Sequence, residues 1–227
     1  MSSKATKEPQ YNVCLDHRSQ RGPAEMGLMS GYCWDIDPKR LVFVLSRYKF
    51  VSKMLSGLAR VAEVGCADAF GTRIVMGECG HVTAVDFDPV FIEDARCRSR
   101  PDDNAEYLVH DMLGGPVPGG PFDGLYSLDV IEHIDQAQED RFLGNIASSL
   151  KPHGVLVLGT PTLESQAHAS AASKAGHINC KSHADLKALL RRHFANVFLF
   201  SMNDEVVHTG FYPMAHYLFA LCCAPIR

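Results

Sequence analysis

The sequence predicts an α/β protein in which helices cover both faces of one mostly parallel sheet. Seven short apolar runs of strand length occur between residues 61 and 222, and stretches of helix length lie between them. Strands that alternate with helices are typical of parallel sheets. The one exception is residues 200–214, which leave no room for a crossover helix. The seventh strand is therefore predicted to return antiparallel, through a hairpin.

The elements follow one another in a regular order. A helix is predicted from Pro38, because apolar residues recur at spacings of three and four, and Gly57 ends it. Further helices are expected at 89–98, 137–150 and 183–193. The seven strands are predicted at 61–64, 81–85, 106–109, 122–128, 154–158, 196–200 and about 214–222.

Composition and charge narrow the class of protein. The chain has 227 residues, 46% of them apolar and 21% charged, with a net charge of -4. That charge argues against a broad nucleic-acid-binding face. No secretory signal and no apolar run of membrane length occurs, so a cytoplasmic protein with no membrane partner is expected. The eight cysteines form no CxxC pair, which makes a cysteine-based zinc site unexpected.

The turn after the first strand, in VAEVGCADAFGT, resembles a glycine-rich cofactor turn. Ligands bind at the carboxyl ends of parallel strands, where this turn lies. Ala67 and Ala69 stand where such turns often carry glycine, and they hinder the close approach of a pyrophosphate. The acidic Glu63 and Asp68 would also repel one. They suit a cationic cofactor with a free ammonium group, such as S-adenosylmethionine.

The next two strand ends carry groups that suit an adenosine. Asp86 lies 21 residues after Gly65, where a carboxylate can accept hydrogen bonds from ribose hydroxyls. Phe87 is predicted to pack on the adenine. Asp111 is expected to accept from the adenine amino group, with Met112 as an apolar neighbour.

Taken as an ordered set, these motifs resemble the class I S-adenosylmethionine-dependent methyltransferases. The motifs are VAEVGCADAFGT, AVDFDP, VHDML, FDGLYSLDVIEHI and LKPHGVLVLGTP, within residues 41–222. The resemblance implies a Rossmann-like, seven-stranded sheet with an antiparallel last strand. It also implies that Glu63, Gly65 and Gly71 frame the methionine end of the cofactor and that Leu128 lines the site. S-adenosylhomocysteine would be the product.

Three residues are candidates for the chemistry: Asp129, His133 and His177. Methyl transfer needs the nucleophile, methyl and sulfur held in line, and it needs a base only if the acceptor arrives protonated. His133 and His177 are the candidate bases. His177 also resembles a histidine that lies near the substrate in ubiquinone-type O-methyltransferases; the alternative is a surface histidine in a mobile loop.

The segment 129–133 also raises the question of a metal. Asp129, Glu132 and His133 would share one side of a helix, and they resemble a pattern associated with a divalent metal in ubiquinone-type enzymes. The alternative is that Asp129 caps the helix and His133 is a half-buried structural histidine. We favour the alternative without a metal.

Two segments are predicted to contact substrate. Residues 1–40 form an N-terminal segment expected to close over the site as a lid, with Tyr32 and Trp34 as contacts, before a methyltransferase domain at 41–227. The hairpin after the sixth strand offers His208 and Tyr212. Arg47 and Tyr48, on the helix before the first strand, are candidates to bind the cofactor or a substrate carboxylate. The alternative for Arg47 is a position on an exposed face of that helix.

The sequence therefore predicts an enzyme that moves a methyl group from S-adenosylmethionine to an oxygen or nitrogen atom of a small molecule by in-line displacement. The alternative is a catalytically silent subunit that binds the cofactor within a complex. An NAD-dependent dehydrogenase is disfavoured by the alanine-bearing turn and by the acid after the third strand. The acceptor and the oligomeric state stay open.

Overall fold

The computed structural model of the protein describes residues 5–226. The ends of the predicted N-terminal segment (residues 1–4) and of the predicted domain (residue 227) lie outside the described residues. Helices α1 to α8 span, in chain order, Asn12–Arg21, Leu28–Ile36, Pro38–Met54, Thr72–Met76, Pro89–Arg98, Glu139–Ser149, Ala171–Gly176 and His183–Leu190. Strands β1 to β8 span Arg60–Val64, His81–Asp86, Ala105–Val109, Phe122–Leu128, Leu150–Pro161, Phe194–Asn203, Val206–His208 and Tyr217–Pro225.

All eight strands form one sheet in the order β3-β2-β1-β4-β5-β8-β6-β7. The strands from β1 to β5 pair in parallel. Strand β8 lies between β5 and β6 and is antiparallel to both. The predicted fold class and the antiparallel return of the last predicted strand are therefore confirmed.

The predicted number of strands was one too low. The segment after β6 turns at Asp204, whose φ of 47° is left-handed, and forms the short strand β7. Residues 206–208 then pair with 201–203 at the outer edge of the sheet. The sequence did not reveal β7 because three half-exposed residues produce neither an apolar run nor a visible alternation.

Helices cover both faces of the sheet, as predicted. On one face, α6 and α8 contribute Phe142, Ile146 and Leu186 to a buried core. On the other, α3 and α5 contribute Val51 and Ile92 to a second core. The described residues include no helix that is long and apolar enough to cross a membrane.

The N-terminal segment, which shows no clear period in the sequence, contains two helices. Helix α1 buries none of its residues, and α2 buries only Ser30. An amphipathic helix is recognised by its apolar face, and neither helix turns one towards the core. Helix α3 begins at Pro38, as predicted, where Asp37 caps the first turn by accepting from the backbone N–H of Arg40.

Candidate active site

A cavity of about 1230 Å³ opens at the carboxyl edge of the parallel strands. Its walls come from the turn after β1, the end of β4, helices α2 and α3, the loop after β5, and the β6–β8 connection. These are loops that the sequence predicted for the ligand face. The loops after β2 and β3 were predicted as well, but among the described residues they contribute nothing to the lining of this cavity.

The turn after β1 has the backbone of a glycine turn even where it carries alanine. Gly65 has a φ of 79°, and Ala67 and Ala69 have φ values of 46° and 53°. A Cβ at Gly65 would overlap the Val130 side chain. Each alanine is held in a left-handed conformation that costs on the order of 1 kcal/mol, so the rest of the turn must hold it there.

Asp86 is one of the groups that hold the turn. Its carboxylate accepts from the N–H of Ala67 at 2.8 Å and from the N–H of Asp88 at 2.9 Å. Gly71, at the other end of the turn, lies against the ring of Tyr48, which a Cβ would overlap. Asp86 therefore shapes the turn through one of its two oxygens, and its predicted contact with the ribose stays a prediction.

Glu63 lies behind the turn and not in the cavity wall. Its carboxylate accepts from the hydroxyl of Thr72 at 2.5 Å and from the hydroxyl of Tyr126 at 2.7 Å. Burial raises its pKa from 4.5 to about 7, and the hydrogen bonds of Thr72, Tyr126 and Tyr48 oppose that rise. Glu63 thus links the residue after the turn, Thr72, to Tyr126 of β4. Its contact with the cofactor remains a prediction.

The adenosine-side candidates lie after β2 and β3. Phe87 is 76% exposed, and the exposed Asp111 accepts from the N–H of Leu113 at 2.8 Å. Met112 is buried in the core with α6. Leu128, at the end of β4, lines the cavity as predicted from the resemblance. The roles assigned to these residues remain predictions.

The floor of the cavity is an ion pair that the sequence did not reveal. The guanidinium of Arg47 lies between the rings of Phe43 and Tyr217, 4.1 and 3.8 Å from their centroids, and pairs with Asp129. Burial alone would lower the pKa of Arg47, but Asp129, Tyr217 and Glu132 together hold it above its ordinary value. The exposed-face alternative for Arg47 was wrong, because the side chain is buried.

Asp129 does not cap a helix. Its φ of 57° turns it out of the strand, and its carboxylate meets Arg47. The 3-10 turn that follows, Ile131–His133, has no side-chain cap. The capping alternative was therefore wrong, and Asp129 lies in the cavity wall beside the cofactor turn.

The two candidate histidines are neighbours, with ring centroids 5.2 Å apart. His177 lines the cavity, whereas His133 is exposed, lies outside the cavity lining and hydrogen-bonds through Nδ1 to the carbonyl of Gly176 at 2.8 Å. The Nδ1 of His177 lies 3.1 Å from the side-chain oxygen of Gln166. An amide oxygen can only accept, so Nδ1 carries the proton and Nε2 keeps a free lone pair. Burial and then His133 lower the pKa of His177 below 6.5, so its ring is neutral at pH 7.

A buried polar network fixes the loop that carries His177. Lys181 pairs with Glu139 of α6 at 2.7 Å and donates to the side chain of Asn179 at 2.5 Å. Asn179 donates to Glu139 at 3.1 Å through its side chain and to the carbonyl of Glu132 through its backbone at 2.9 Å. The loop that carries His177 is therefore held by contacts to the 3-10 turn after β4 and to α6.

The structure brings together a different metal-ligating set from the one considered in the sequence. Glu132, His133 and His177 each offer one ligand atom, all within 4.8 Å of one another, whereas Asp129 is taken by Arg47. Glu132 is buried, accepts from the hydroxyl of Thr160 at 3.0 Å, and has one oxygen without a partner. Burial, and then Asp129, raise its pKa to about 8. Two imidazoles and one carboxylate are a donor set that suits a divalent transition metal.

The predicted substrate contacts lie outside this cavity lining. Tyr32 and Trp34 are 66% and 55% exposed, while other residues of α2 face the cavity. His208 hydrogen-bonds to Asn203 at 2.9 Å, and Tyr212 stacks on His183. The two predicted segments do contribute residues to the cavity wall, but the four side chains predicted as contacts are not among those residues. The cavity-facing residues that the sequence did not single out are Met29, Cys33, Arg40, Phe43 and His216.

A spacing signal for part of that set was present. Arg40, Phe43 and Arg47 follow one another at three and four along α3, so they share one face of the helix. Of these three residues, only Arg47 was considered as a ligand contact from the sequence, because the predicted helix was recognised from its other, apolar positions. His216 has no such signal, because it lies within the run at about 214–222, which was predicted as a strand.

Comparison with known proteins supports the class that this fold and cavity define. Residues 61–154 match the family model described as a methyltransferase domain. The chain is 30% identical over 105 residues to the mitochondrial ubiquinone biosynthesis O-methyltransferase of Schizosaccharomyces pombe, covering 44% of this chain and 37% of that protein. It is 24% identical over 164 residues to the ubiquinone biosynthesis O-methyltransferase of Rickettsia canadensis, covering 70% and 65%.

A solved structure supports the fold over nearly the whole chain. The N-methyltransferase NodS from Bradyrhizobium japonicum WM9, in complex with S-adenosylhomocysteine, superposes with a TM-score of 0.64 at 17% identity, covering 96% of this chain and 100% of that one. Together the comparisons support the predicted resemblance to class I S-adenosylmethionine-dependent methyltransferases, through the family match over residues 61–154 and through the shared fold. The chain spans only 37% and 65% of the length of the two curated relatives.

Proposed function

We propose that this protein transfers the methyl group of S-adenosylmethionine to a hydroxyl oxygen of a small molecule, with a nitrogen acceptor as the alternative. One observation carries the proposal: a single cavity is bounded by the cofactor turn on one side and by His177 on the other. Ligand cavities for one drug-sized molecule measure roughly 300–1,000 Å³, so a cavity of about 1230 Å³ has room for a cofactor and a small acceptor.

The chemistry of His177 supports a hydroxyl acceptor. A hydroxyl must lose its proton as the new bond forms, and a neutral imidazole with a free Nε2 can take that proton. The curated relatives are named as O-methyltransferases, which agrees with this choice. The buried Arg47 and the half-exposed Asp129, which both line the cavity, would then contact the acceptor through hydrogen bonds.

A metal is not needed for this scheme, although three potential ligands lie close together. Glu132, His133 and His177 would hold a divalent ion, which when bound would polarise the acceptor hydroxyl. Glu132 would first have to lose the proton that its raised pKa of about 8 retains at neutral pH. We favour proton transfer to His177 alone.

The first test is isothermal titration with S-adenosylmethionine, S-adenosylhomocysteine and NAD. We expect both sulfur nucleotides to bind and NAD not to. A screen of phenolic and amine acceptors, each with and without a chelator, then tests turnover. Binding without turnover of any acceptor would favour the catalytically silent subunit, and loss of turnover with chelator would establish the metal.

The matched variants for the base are His177→Gln and His133→Gln. His177→Gln should lower kcat about 100-fold or more while cofactor affinity is unchanged, because general-base catalysis contributes typically 10²–10⁴-fold. His133→Gln should have a smaller effect, since His133 lies outside the cavity lining. Equal losses in the two variants would contradict the assignment of the base to His177.

A further inference from the structure

The N-terminus of α2 is held by carboxylates from the methyltransferase fold. The N–H of Ser30 donates to Oδ2 of Asp68 at 2.7 Å, and the N–H of Leu28 donates to Asp94 at 3.2 Å. Helix N-termini carry unpaired N–H groups and a partial positive charge, which carboxylates satisfy. Asp68 is only 5% exposed, so this contact is shielded from water.

The two oxygens of Asp68 serve two different elements. Oδ2 accepts from α2, whereas Oδ1 accepts from the N–H of Phe70 within the cofactor turn at 3.2 Å. Arg98 of α5 donates to the backbone carbonyl of Asp68 and to the carboxylate of Asp94 at 2.8 Å. A displacement of the turn therefore moves the group on which α2 is anchored.

The contact requires a glycine at residue 27. A Cβ there would lie 2.5 Å from Oδ2 of Asp68 and 2.6 Å from Arg98, closer than van der Waals contact allows. The backbone N–H of Gly27 also donates to the Ser30 hydroxyl at 2.8 Å, which completes the first turn of α2. Close packing of Gly27 on the turn is thus part of the anchor.

Within the part of the chain that the structure describes, few other buried contacts hold α2 in place. Ser30 is its only buried residue, and its large apolar side chains remain partly exposed to solvent. Yet α2 supplies Met29, Ser30 and Cys33 to the cavity wall. An element with few buried apolar contacts opens readily, and opening α2 would remove one wall of the cavity.

We propose that Asp68 is a positioning residue that couples the cofactor turn to α2, so that cofactor binding and closure of α2 over the cavity stabilise each other. The proposal rests on the proposed function, because it takes S-adenosylmethionine as the ligand of the turn. The sequence predicted that residues 1–40 close over the site; the proposal adds that Asp68, in the cofactor turn, controls that closure. Reciprocity follows from linkage: whatever closes α2 raises cofactor affinity by the same factor.

Two residues of α2 make its closure measurable: Trp34 as a fluorescent reporter and Gly31 as the site of a control substitution. Trp34 is the only tryptophan of the chain and lies on α2, so intrinsic fluorescence follows this helix. Gly31 is also on α2, but a Cβ there meets only the Cβ of Met26, at 3.8 Å. Gly27→Ala and Gly31→Ala are therefore the same substitution on the same segment, with and without a clash at Asp68.

The experiment is a titration of S-adenosylhomocysteine into wild type, Gly27→Ala, Gly31→Ala and Asp68→Asn, monitored by Trp34 emission and by calorimetry. We expect saturable emission changes in wild type and Gly31→Ala. Gly27→Ala should bind about 5- to 10-fold more weakly and lose the emission change, on the scale of a lost helix cap. Asp68→Asn keeps one acceptor oxygen, which can serve α2 or the cofactor turn but not both, so it should also weaken binding and reduce the emission change.

Hydrogen exchange of residues 27–36 completes the test. In wild type the ligand should slow exchange there, and without ligand Gly27→Ala should exchange faster than Gly31→Ala. Wild-type affinity and emission in Gly27→Ala would overturn the proposal, as would ligand binding that leaves exchange of α2 unchanged in wild type. If neither wild type nor any variant binds the nucleotide, the proposed function fails. The comparison of ligand-free hydrogen exchange in Gly27→Ala and Gly31→Ala still decides whether α2 is anchored at Asp68.

Discussion

Glu63 should make this protein lose stability as the pH rises from 5 to 8. Its pKa is about 7 in the folded protein and 4.5 in the unfolded chain, because the buried carboxyl retains its proton. The folded state therefore binds more protons in this range, and stability is fully present below pH 4.5 and is lost as the pH rises through 7. A shift of this size corresponds to about 3 kcal/mol, of which roughly 2.5 kcal/mol falls between pH 5 and pH 8.

The variant that isolates this effect is Glu63→Gln, which cannot ionise. The hydroxyls of Thr72 and Tyr126 can rotate to accept from its amide, so the site stays satisfied. The free energy of unfolding should be measured by urea denaturation at pH 5 and pH 8. The decrease over that interval should be about 2.5 kcal/mol smaller in the variant than in wild type.

Two comparisons make the measurement decisive. Glu132, whose pKa is raised to about 8, is present in both proteins and cancels in the difference. Glu93→Gln, on the exposed face of α5, should behave as wild type. Equal pH dependence in wild type and Glu63→Gln would refute the reasoning, because it would mean that the carboxylate ionises inside the fold without cost.

Four further outcomes are expected. Ala69→Gly should raise the free energy of unfolding by about 1 kcal/mol, because it relieves a left-handed alanine; no gain in urea denaturation would contradict that strain. Arg47→Met should lower the free energy of unfolding by about 1–3 kcal/mol, because it leaves the half-exposed Asp129 carboxylate without its charged partner; adding Asp129→Asn should recover part of that loss, whereas additive losses would show that the pair is not coupled. Asp86→Ala should weaken S-adenosylhomocysteine binding at least tenfold in calorimetry while thermal unfolding stays cooperative; unchanged affinity would break the ribose assignment. If His177 is the base, kcat/KM should rise with pH and reach its plateau before pH 6.5, because the lowered pKa of His177 leaves the ring neutral from that point upward. A profile that rises only above pH 7 would point to another base.

The sheet was predictable because its information is local. Each buried strand is a short apolar run, and the helices between them have a period of three and four, so both were visible in the sequence. Helices α1 and α2 were not visible, because nothing on them packs into the core. The strand β7 was missed because three residues are too few to show an alternating pattern.

The cavity could be predicted only in its outline. Strand ends and the turn after β1 gave its location, because parallel strands present their carboxyl ends to one edge. Its floor depends on pairs that are far apart in the chain: Arg47 and Asp129 are 82 residues apart, and His133 contacts a carbonyl 43 residues away. Residue type and local spacing carry no information on such distant partners. Asp129 was therefore grouped with Glu132 and His133 in the sequence, whereas it pairs with Arg47 in the structure.

The position of β8 has a consequence for how the chain assembles. Strand β6 has no partner among the parallel strands; it joins them only through residues 217–225, which lie between it and β5. The β6–β7 hairpin can therefore attach to the sheet only once the last strand has formed. Without residues 217–225, β5 would be an edge strand with unpaired N–H and carbonyl groups. A truncation near residue 217 would therefore also remove the strand that joins the β6–β7 hairpin to the sheet.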